Sequence, residues 1–412
     1  MAVHVVNEAR RCLNCKVPQC RKGCPINTPI PDMIQMFLHN QKEEAGKMLF
    51  DNNPLSIVCS LVCDHEKQCE GHCVLGRKGA PVHISSIENY ISDAYLDHPQ
   101  FTCQPPKGQM AAIIGSGPAG ITIAVILAQR GYEVTLFEGR EKIGGVLRYG
   151  IPAFRLPKSV LDRYRDQLTR LGIKIRPNTS IGSALTVDDL QRDGYQAIFI
   201  GTGVWRPRRL GIPGESLGHV HYGIDYLVNP DVYDLGDQLV VIGAGNAAMD
   251  VARTALRQGV RHVSLFCRGP KAAASSREVD YAVADGVEFH YGYVPVEIQK
   301  EGVLYRKSEF DEQGNRVSQS EPKLFPCSSV IIAIGQGALN RIVSTTDGLN
   351  TASNGLLTTD SAGQTSRPGI FASGDVVSGA RTVVEAVRYS KDVADAMDRY
   401  MQSLREPAAE EK

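Results

Sequence analysis

The stretch Met110–Gly139, MAAIIGSGPAGITIAVILAQRGYEVTLFEG, decides the fold. It reads as a buried strand, a glycine-rich turn, a helix and a second strand, which together form the βαβ unit that binds a dinucleotide. Gly115 permits the tight turn, Gly117 lets the backbone approach a pyrophosphate at the helix N-terminus, and Gly120 allows close helix–strand packing. The second strand ends at Glu138, where a carboxylate can accept hydrogen bonds from a ribose. The predicted cofactor contacts of this turn are Gly115, Gly117, Pro118, Ala119 and Gly120.

Two further stretches favour FAD as the dinucleotide. Gly144 and Gly145 follow Glu138 closely, and paired glycines would let the backbone pass against a long cofactor. Gly374 and Asp375 follow the short strand IFAS, where an Asp can hydrogen-bond the ribityl or pyrophosphate part of a flavin. Each feature, taken alone, is also compatible with an ordinary turn. The further predicted cofactor contacts are Glu138, Gly145, Arg148, Gly335, Gly374, Asp375 and Thr382.

The same pattern returns at QLVVIGAGNAAMDVARTALRQGVRHVSLFCRG, residues 238–269. The turn Gly243–Ala248 has the spacing G-x-G-x-x-A, which the dinucleotide fingerprint allows. The residue after the second strand is Arg268 rather than an acid, so it is placed to pair with a 2′-phosphate or to be a solvated surface base. We predict a site for NADPH, with NADH as the alternative, formed by Gly243, Gly245, Asn246, Ala247 and Arg268.

No redox-active pair of cysteines follows the cysteine-rich residues 12–73. Flavoproteins that reduce disulfides need a C-x-x-C or similar pair near the flavin, and none occurs after Cys73. Electrons that reach this flavin must therefore leave by another route.

Eight of the eleven cysteines lie between Cys12 and Cys73. Their spacings are C-x2-C-x4-C-x3-C-P from Cys12 to Pro25 and C-x3-C-x5-C-x3-C from Cys59 to Cys73. A disulfide knot, zinc and iron–sulfur clusters are the alternatives. Zinc favours paired C-x2-C knuckles, whereas close triplets followed by Cys-Pro are typical of ferredoxin-like segments. We predict two 4Fe–4S clusters, with a flavin to link two-electron hydride transfer to one-electron transfer.

Composition indicates an ordinary globular protein. Hydrophobic residues make up 42% and charged residues 22% of the 412 residues, and the formal net charge is zero. We therefore expect no nucleic-acid binding, and we see neither a secretory signal nor a membrane span. A cytoplasmic protein, in which thiols stay reduced, is expected.

The predicted fold class is an α/β flavoprotein with two Rossmann-like domains, one for FAD and one for NAD(P), and an N-terminal α-helical iron–sulfur domain. The predicted domains are 1–105 for the two clusters, 106–228 and 337–405 for a discontinuous FAD domain, 229–336 for the nucleotide domain, and a tail at 406–412. The Pro- and Gly-containing segment CQPPKGQ is the expected linker between the first two.

Motifs along nearly the entire chain resemble the family of glutamate synthase small subunits and the N-terminal module of dihydropyrimidine dehydrogenase. The stretches that carry the resemblance are CLNCKVPQCRKGCP, NNPLSIVCSLVCDHEKQCEGHC, PVHISSIENYI, IIGSGPAG, GGVLRYGIPAFRLPKSVLD, GTGVWRPRRLGIPGE, VIGAGNAAMDVA and IFASGDVVSGARTVVEAV. The same module is found in bifurcating NADH-dependent ferredoxin:NADP oxidoreductases.

The resemblance implies that the two cysteine groups interleave. One cluster would be held by Cys12, Cys15, Cys20 and Cys73, and the other by Cys24, Cys63, Cys69 and Glu88, with Asn89 a weaker candidate than Glu88. Cys59 would then be no ligand. NADPH-using members often carry two adjacent arginines where this chain has Arg268 followed by Gly269, which leaves the choice of nucleotide open.

The expected function is that of an NAD(P)H-dependent oxidoreductase that feeds electrons through FAD and two clusters to a catalytic partner subunit. A stand-alone reductase that serves a ferredoxin, a bifurcating subunit and a zinc-headed binding module are the alternatives. The sequence offers no nucleophile or general base apart from the cofactor motifs, so the catalytic residues stay unassigned.

Overall fold

The computed structural model describes residues 4–405, and the predicted tail at 406–412 lies outside them. The helices are α1 (Val5–Arg10), α2 (Gln19–Gly23), α3 (Ile30–Leu38), α4 (Lys42–Asn52), α5 (Ser56–Val62), α6 (Ile84–Asp97), α7 (Pro118–Gln129), α8 (Val146–Tyr149), α9 (Lys158–Arg170), α10 (Val187–Arg192), α11 (Gly223–Val228), α12 (Asn246–Arg257), α13 (Ser276–Asp285), α14 (Arg341–Ser344), α15 (Asp375–Ser378) and α16 (Val383–Ser403). Short 3₁₀ turns lie at Val74–Arg77 and Pro230–Val232.

The strands are β1 (Met110–Ile114), β2 (Glu133–Phe137), β3 (Lys174–Arg176), β4 (Tyr195–Ile200), β5 (Arg206–Pro207), β6 (Val220–Tyr222), β7 (Gln238–Ile242), β8 (His262–Cys267), β9 (Glu288–Tyr291), β10 (Tyr293–Gln299), β11 (Gly302–Phe310), β12 (Arg316–Gln319), β13 (Lys323–Pro326), β14 (Ser329–Ile332), β15 (Gln336–Gly337) and β16 (Ile370–Ala372).

The cysteine-rich head is helical, as predicted. The stretch ISSIENYISDAYLD forms α6 over its whole length. The longer stretch from Ile30 to Phe50 forms two helices, because Asn40 adopts a left-handed conformation (φ 61°) that ends the first one. Apolar residues from α1, α3, α4 and α6 pack into one core that includes Cys69, and four partly buried thiols pack against it: Cys12, Cys20, Cys24 and Cys73.

The first glycine turn belongs to a parallel five-stranded sheet with the order β16-β4-β1-β2-β3. Its inner strands are almost fully buried, since β1 exposes only part of Met110, and β16 is buried throughout, whereas the short edge strand β3 is largely exposed. Such buried, near-continuous apolar strands are what a parallel sheet covered by helices requires. The carboxyl end of β1 therefore meets the N-terminus of α7 at the edge where ligands bind in open α/β sheets.

The second glycine turn belongs to another parallel five-stranded sheet, with the order β6-β14-β7-β8-β9. The strand predicted in SSVIIAIGQG is β14, which lies between β6 and β7. An antiparallel sheet of β10, β11, β12 and β13, which was not predicted, is inserted between β9 and β14. Two features of the sequence could have indicated this sheet. Apolar residues alternate with other residues in Tyr293–Gln299, and Gly302 (φ 154°) follows as a residue that permits a turn.

The chain forms two compact units. The first comprises the described parts of 1–147, 153–204 and 338–412, and the second comprises 148–152 and 205–337. The flavin domain was predicted to continue to residue 228, but residues 205–228 lie in the second unit. The reason is that β6 pairs with β14 at the edge of the second sheet. The finer division into three domains stays a prediction.

Within residues 4–405, no helix combines the length and the apolar character that crossing a membrane requires.

Candidate functional site

The first glycine turn has the shape that its spacing predicts. Gly115 is left-handed (φ 99°), and a Cβ atom there would lie 2.5 Å from the carbonyl oxygen of Gly201. A Cβ atom at Gly120 would overlap the carbonyl oxygen of Gly115, which shows how closely α7 approaches β1. At Gly117 a Cβ atom would meet no protein atom within 4 Å. The turn therefore leaves open space at the N-terminus of α7, where a pyrophosphate fits.

Glu138 lies beside this turn and is buried. One carboxylate oxygen accepts hydrogen bonds from the backbone N–H and hydroxyl of Ser116, and the other accepts from the backbone N–H of Arg140 (2.8 Å). The Ser116 hydroxyl oxygen also accepts from the backbone N–H of Gly144 (3.0 Å). Ser116, which was not among the predicted site residues, thus holds both Glu138 and the backbone of Gly144 in place. A serine at the variable position of the motif gave no signal of this role.

Two other predicted residues lie against the same turn. A Cβ atom at Gly145 would lie 2.8 Å from the Cα of Gly117, and one at Gly374 would lie 3.1 Å from the Cβ of Ala119. Pro118 and Ala119 are buried in the first turn of α7. The fold thus collects residues from three distant parts of the sequence around one open space, which fits a long cofactor such as FAD.

Asp375 and Thr382 lie at the ends of α15 and α16. Burial raises the pKa of Asp375 to about 6, and its carboxylate accepts a hydrogen bond from the backbone N–H of Arg381 (3.2 Å). Thr382 is exposed, and its hydroxyl forms a capping box with Glu385 at the start of α16. Its side chain therefore already has a structural role. Arg148 and Gly335 belong to the second unit, where the carbonyl oxygen of Gly335 accepts from the backbone N–H of Arg208 (3.0 Å).

The second glycine turn repeats this arrangement in the second unit. Gly243 is left-handed (φ 145°), and a Cβ atom at Gly245 would meet nothing within 4 Å. The Asn246 side chain accepts from the backbone N–H of Ser275 (3.0 Å), and Ala247 is half-buried behind it. This hydrogen bond ties the segment that follows β8 to the glycine turn that follows β7.

Arg268 is exposed and follows directly after β8. Because β8 runs parallel to β7, the carboxyl ends of both strands lie at the same edge of the sheet. This edge carries the glycine turn, so Arg268 lies at the edge where a nucleotide binds, and its pairing with a 2′-phosphate stays a prediction.

The first group of thiols surrounds one cavity in the head. Its lining includes Cys12, Cys15, Cys20 and Cys73, together with apolar side chains such as Ile30 and Val82. Burial raises the pKa of the Cys20 thiol to about 11 and also raises that of Cys12. Burial therefore favours the neutral form of these two thiols, and metal binding must displace their protons.

The second group consists of Cys24, Cys63, Cys69 and Glu88. Burial raises the pKa of Glu88 to about 8, with a further contribution from Glu70. Burial raises the pKa of the Cys24 and Cys69 thiols, and a hydrogen bond with Cys59 together with burial raises that of Cys63. All three thiols lie within electrostatic reach of Glu88, which contributes further to each shift. Cys59 is buried next to Cys63 and acts on its pKa most strongly, so the structure places it beside this group as well.

Helix α6 positions Glu88 because its N-terminus is held by two buried carboxylates. Glu70 accepts from the backbone N–H (2.8 Å) and hydroxyl (2.7 Å) of Ser85, and Glu8 accepts from the backbone N–H of His83 (2.8 Å). Negative groups at a helix N-terminus are stabilising. Glu88 follows Ser85 by three residues, one turn further along the helix, and points to the buried side.

The donor chemistry of both groups fits iron–sulfur clusters. In the described part of the chain, no three His, Cys, Asp or Glu side chains are arranged to hold a metal ion. A single zinc ion needs sulfur ligands about 2.3 Å away, whereas the first four thiols are spread around a cavity. The ligand sets themselves stay predictions.

Two family models match the chain. The model for pyridine nucleotide-disulphide oxidoreductase matches residues 109–390. The model for dihydropyrimidine dehydrogenase domain II, 4Fe-4S cluster, matches residues 2–99.

Individual proteins match over almost the whole chain. The chain is 33% identical to the glutamate synthase (NADPH) small chain of Escherichia coli K12, with 96% of this chain and 91% of that one covered. It is 32% identical to the NAD-dependent dihydropyrimidine dehydrogenase subunit PreT of Salmonella typhimurium, with 96% and 94% covered. Among solved structures, FprA of Mycobacterium tuberculosis in complex with NADPH matches with a TM-score of 0.59 at 20% identity, covering 73% of this chain and 86% of that one. This likeness confirms the predicted fold of the flavoprotein part.

Proposed function

The chain belongs to the pyridine nucleotide-disulphide oxidoreductase family, in the group that includes the glutamate synthase small chains, and on this basis we propose its function. It is an electron-input subunit that oxidises NAD(P)H and passes electrons through FAD and two 4Fe–4S clusters to a catalytic partner. When bound, FAD supplies the step from two-electron to one-electron transfer.

The contact between the head and the flavin-binding part carries this proposal. The hydroxyl of Tyr164, on α9, donates to the carbonyl oxygen of Pro54 (2.7 Å), and the Gln167 amide donates to that of Leu96 (2.8 Å). Both side chains are buried, so the head is fastened to the flavin-binding part of its unit. Helix α6, which carries Glu88, packs against α9, and this supports the proposal that the second ligand group lies on this side of the head.

The first ligand group lies nearer to solvent. Leu13 lines the same cavity as Cys12 and Cys73 although 62% of its surface is exposed, and Val17 beside it is 59% exposed. We assign the second group as the entry for electrons from the flavin and the first group as their exit to the partner.

Disulfide reduction is not part of the proposal, despite the name of the family. The three cysteines that follow Cys73 are isolated from one another. Cys103 is exposed, while Cys267 and Cys327 belong to different apolar cores. Together with the free thiols of the head, this suits the reducing cytoplasm, which we propose as its location.

Anaerobic purification tests the proposal. We expect one FAD and about eight irons per chain, as two four-iron clusters require, and we expect NADPH or NADH to bleach the flavin absorbance. Protein that binds flavin but contains zinc and no iron would contradict it. A catalytic subunit that co-purifies supports the subunit role, whereas full turnover with a ferredoxin alone supports the stand-alone reductase.

A further inference from the structure

A lysine of the last helix reaches into the cysteine-rich head. Lys391 lies on α16, and its ammonium donates to the backbone carbonyl (2.8 Å) and side-chain oxygen (3.0 Å) of Asn52 at the end of α4. Burial lowers the pKa of Lys391, and the charges of Asp392, Asp395 and Cys24 oppose that effect. Cys24 therefore lies within electrostatic reach of this lysine.

Two more hydrogen bonds continue from Asn52 to Cys24. The Asn52 amide nitrogen donates to the hydroxyl oxygen of Thr28 (3.4 Å), and that oxygen lies 3.2 Å from the Cys24 sulfur. Thr28 is only 4% exposed. The four residues thus form a continuous chain from the helix of the flavin-binding part to a predicted cluster ligand.

The direction of every bond in this chain is fixed by chemistry. An ammonium only donates, so the Asn52 side-chain oxygen must face Lys391 and its NH₂ group must face Thr28. The Thr28 oxygen accepts from that NH₂ group, which leaves its single hydrogen for the Cys24 sulfur. A metal-bound thiolate only accepts. All hydrogens therefore point from Lys391 toward the sulfur.

We propose that Lys391, Asn52 and Thr28 raise the reduction potential of the cluster ligated by Cys24. The inference rests on the proposed function, since it requires that cluster. Reduction adds one electron, and hence one negative charge, to the cluster, and the electron comes from FAD that NAD(P)H has reduced. A positive charge and hydrogen bonds to the sulfur stabilise the reduced form more than the oxidised one. Aligned hydrogen bonds in a low-dielectric interior strengthen one another.

Lys391, Asn52 and Thr28 are positioning residues for the electron-transfer step. A higher potential at the entry cluster makes transfer from the flavin more favourable. Because Lys391 belongs to α16 and Asn52 to the head, the effect also depends on the head being docked. The cluster bound by Cys12, Cys15, Cys20 and Cys73 has no part in the chain.

Redox titration monitored by electron paramagnetic resonance tests the proposal on the holoprotein. Lys391→Met removes the charge, and Thr28→Val removes the hydroxyl at nearly constant volume. Each should lower the potential of one cluster, shifting its one-electron equilibrium about tenfold, which is 59 mV for one electron. The signal that changes in Cys24→Ser identifies this cluster, and the other potential should stay fixed. Because Lys391 and Thr28 act through the same chain of hydrogen bonds, the double variant should lower the potential of this cluster by less than the sum of the two single shifts.

Two variants serve as controls. Thr28→Ser keeps the hydroxyl, so the reduction potential of the cluster should equal that of the wild type. Lys107→Met removes a lysine that is bound to the other half of α16, through Asp398 (3.1 Å), and should move neither potential. If Lys391→Met does not fold, Thr28→Val and Thr28→Ser decide alone.

Unchanged potentials in variants that keep about eight irons would overturn the proposal and leave the proposed function intact. Equal shifts of both clusters would also overturn it, because the effect would not come through Cys24. Wild-type protein without clusters would contradict the proposed function instead.

Discussion

Gly120 packs directly against the carbonyl oxygen of Gly115, so closely that a single added methyl group would overlap it. Gly117, between them, faces open space instead. The two glycines thus differ, because Gly120 is needed for the packing of α7 on β1, whereas no protein contact requires a glycine at position 117, where we predict that the pyrophosphate binds.

This difference predicts opposite outcomes for two alanine variants. Gly117→Ala should fold with a Tm close to that of the wild type, because the added Cβ meets no protein atom within 4 Å. It should lose most of its FAD, because this Cβ would occupy the space where we predict that the pyrophosphate binds. Gly120→Ala should unfold at a clearly lower temperature, because backbone must move. Flavin absorbance and thermal unfolding measure the two effects. Full flavin content in Gly117→Ala would show that the pyrophosphate binds elsewhere.

Cys59 and Cys73 provide the test of the ligand sets. Cys59→Ala should keep about eight irons per chain, and Cys73→Ala should keep about four, as the loss of one four-iron cluster requires. Iron analysis and the cluster absorbance measure this, with Cys103→Ala, an exposed cysteine that belongs to neither predicted ligand set, as the control. Loss of a cluster in Cys59→Ala would show that Cys59, not Glu88 or another predicted ligand, completes the second site.

Arg268 should determine the preference for NADPH. Removing a charge-assisted hydrogen bond costs about 1.5–3 kcal/mol, so Arg268→Ala should lower kcat/KM for NADPH roughly 10- to 100-fold and change that for NADH little. Arg261→Ala is the matched control, since Arg261 lies at the opposite end of β8 and pairs with Asp237 (3.4 Å). Equal losses with both nucleotides would exclude recognition of a 2′-phosphate by Arg268.

Asp375 should make the flavin-free protein less stable as the pH rises from about 4 to 6. Burial raises the pKa of Asp375 from 3.8 to about 6 in the folded state. Between these values the folded state binds more protons than the unfolded state, so the free energy of unfolding falls as pH increases. A shift of this size corresponds to about 2–3 kcal/mol.

Urea unfolding at pH 4 and pH 6.5 measures the effect. Asp375→Asn cannot ionise and should lose less stability over this interval than the wild type. The exposed Asp193, changed to Asn, should leave the pH dependence unaltered. The same slope in Asp375→Asn as in the wild type would show that this carboxylate ionises freely in the folded protein.

Local patterns were enough to predict the cofactor turns. The strand, glycine turn and helix that contain Gly115 and Gly243 depend on residues close together in the sequence, and the structure has them where the spacing placed them. The antiparallel sheet at 293–326 and the pairing of β6 with β14 were not predicted. Strand pairing depends on partners that are distant in sequence, which a periodicity does not identify.

The sequence by itself determined the two βαβ units, the helical head and the family, because each depends on short-range spacing that backbone geometry enforces. Only the tertiary structure brought Ser116 to Glu138 and joined Lys391 through Asn52 and Thr28 to Cys24. These side chains come from separate elements. Their hydrogen bonds form because packing brings the polar groups of these elements together and leaves them one another as partners in place of water.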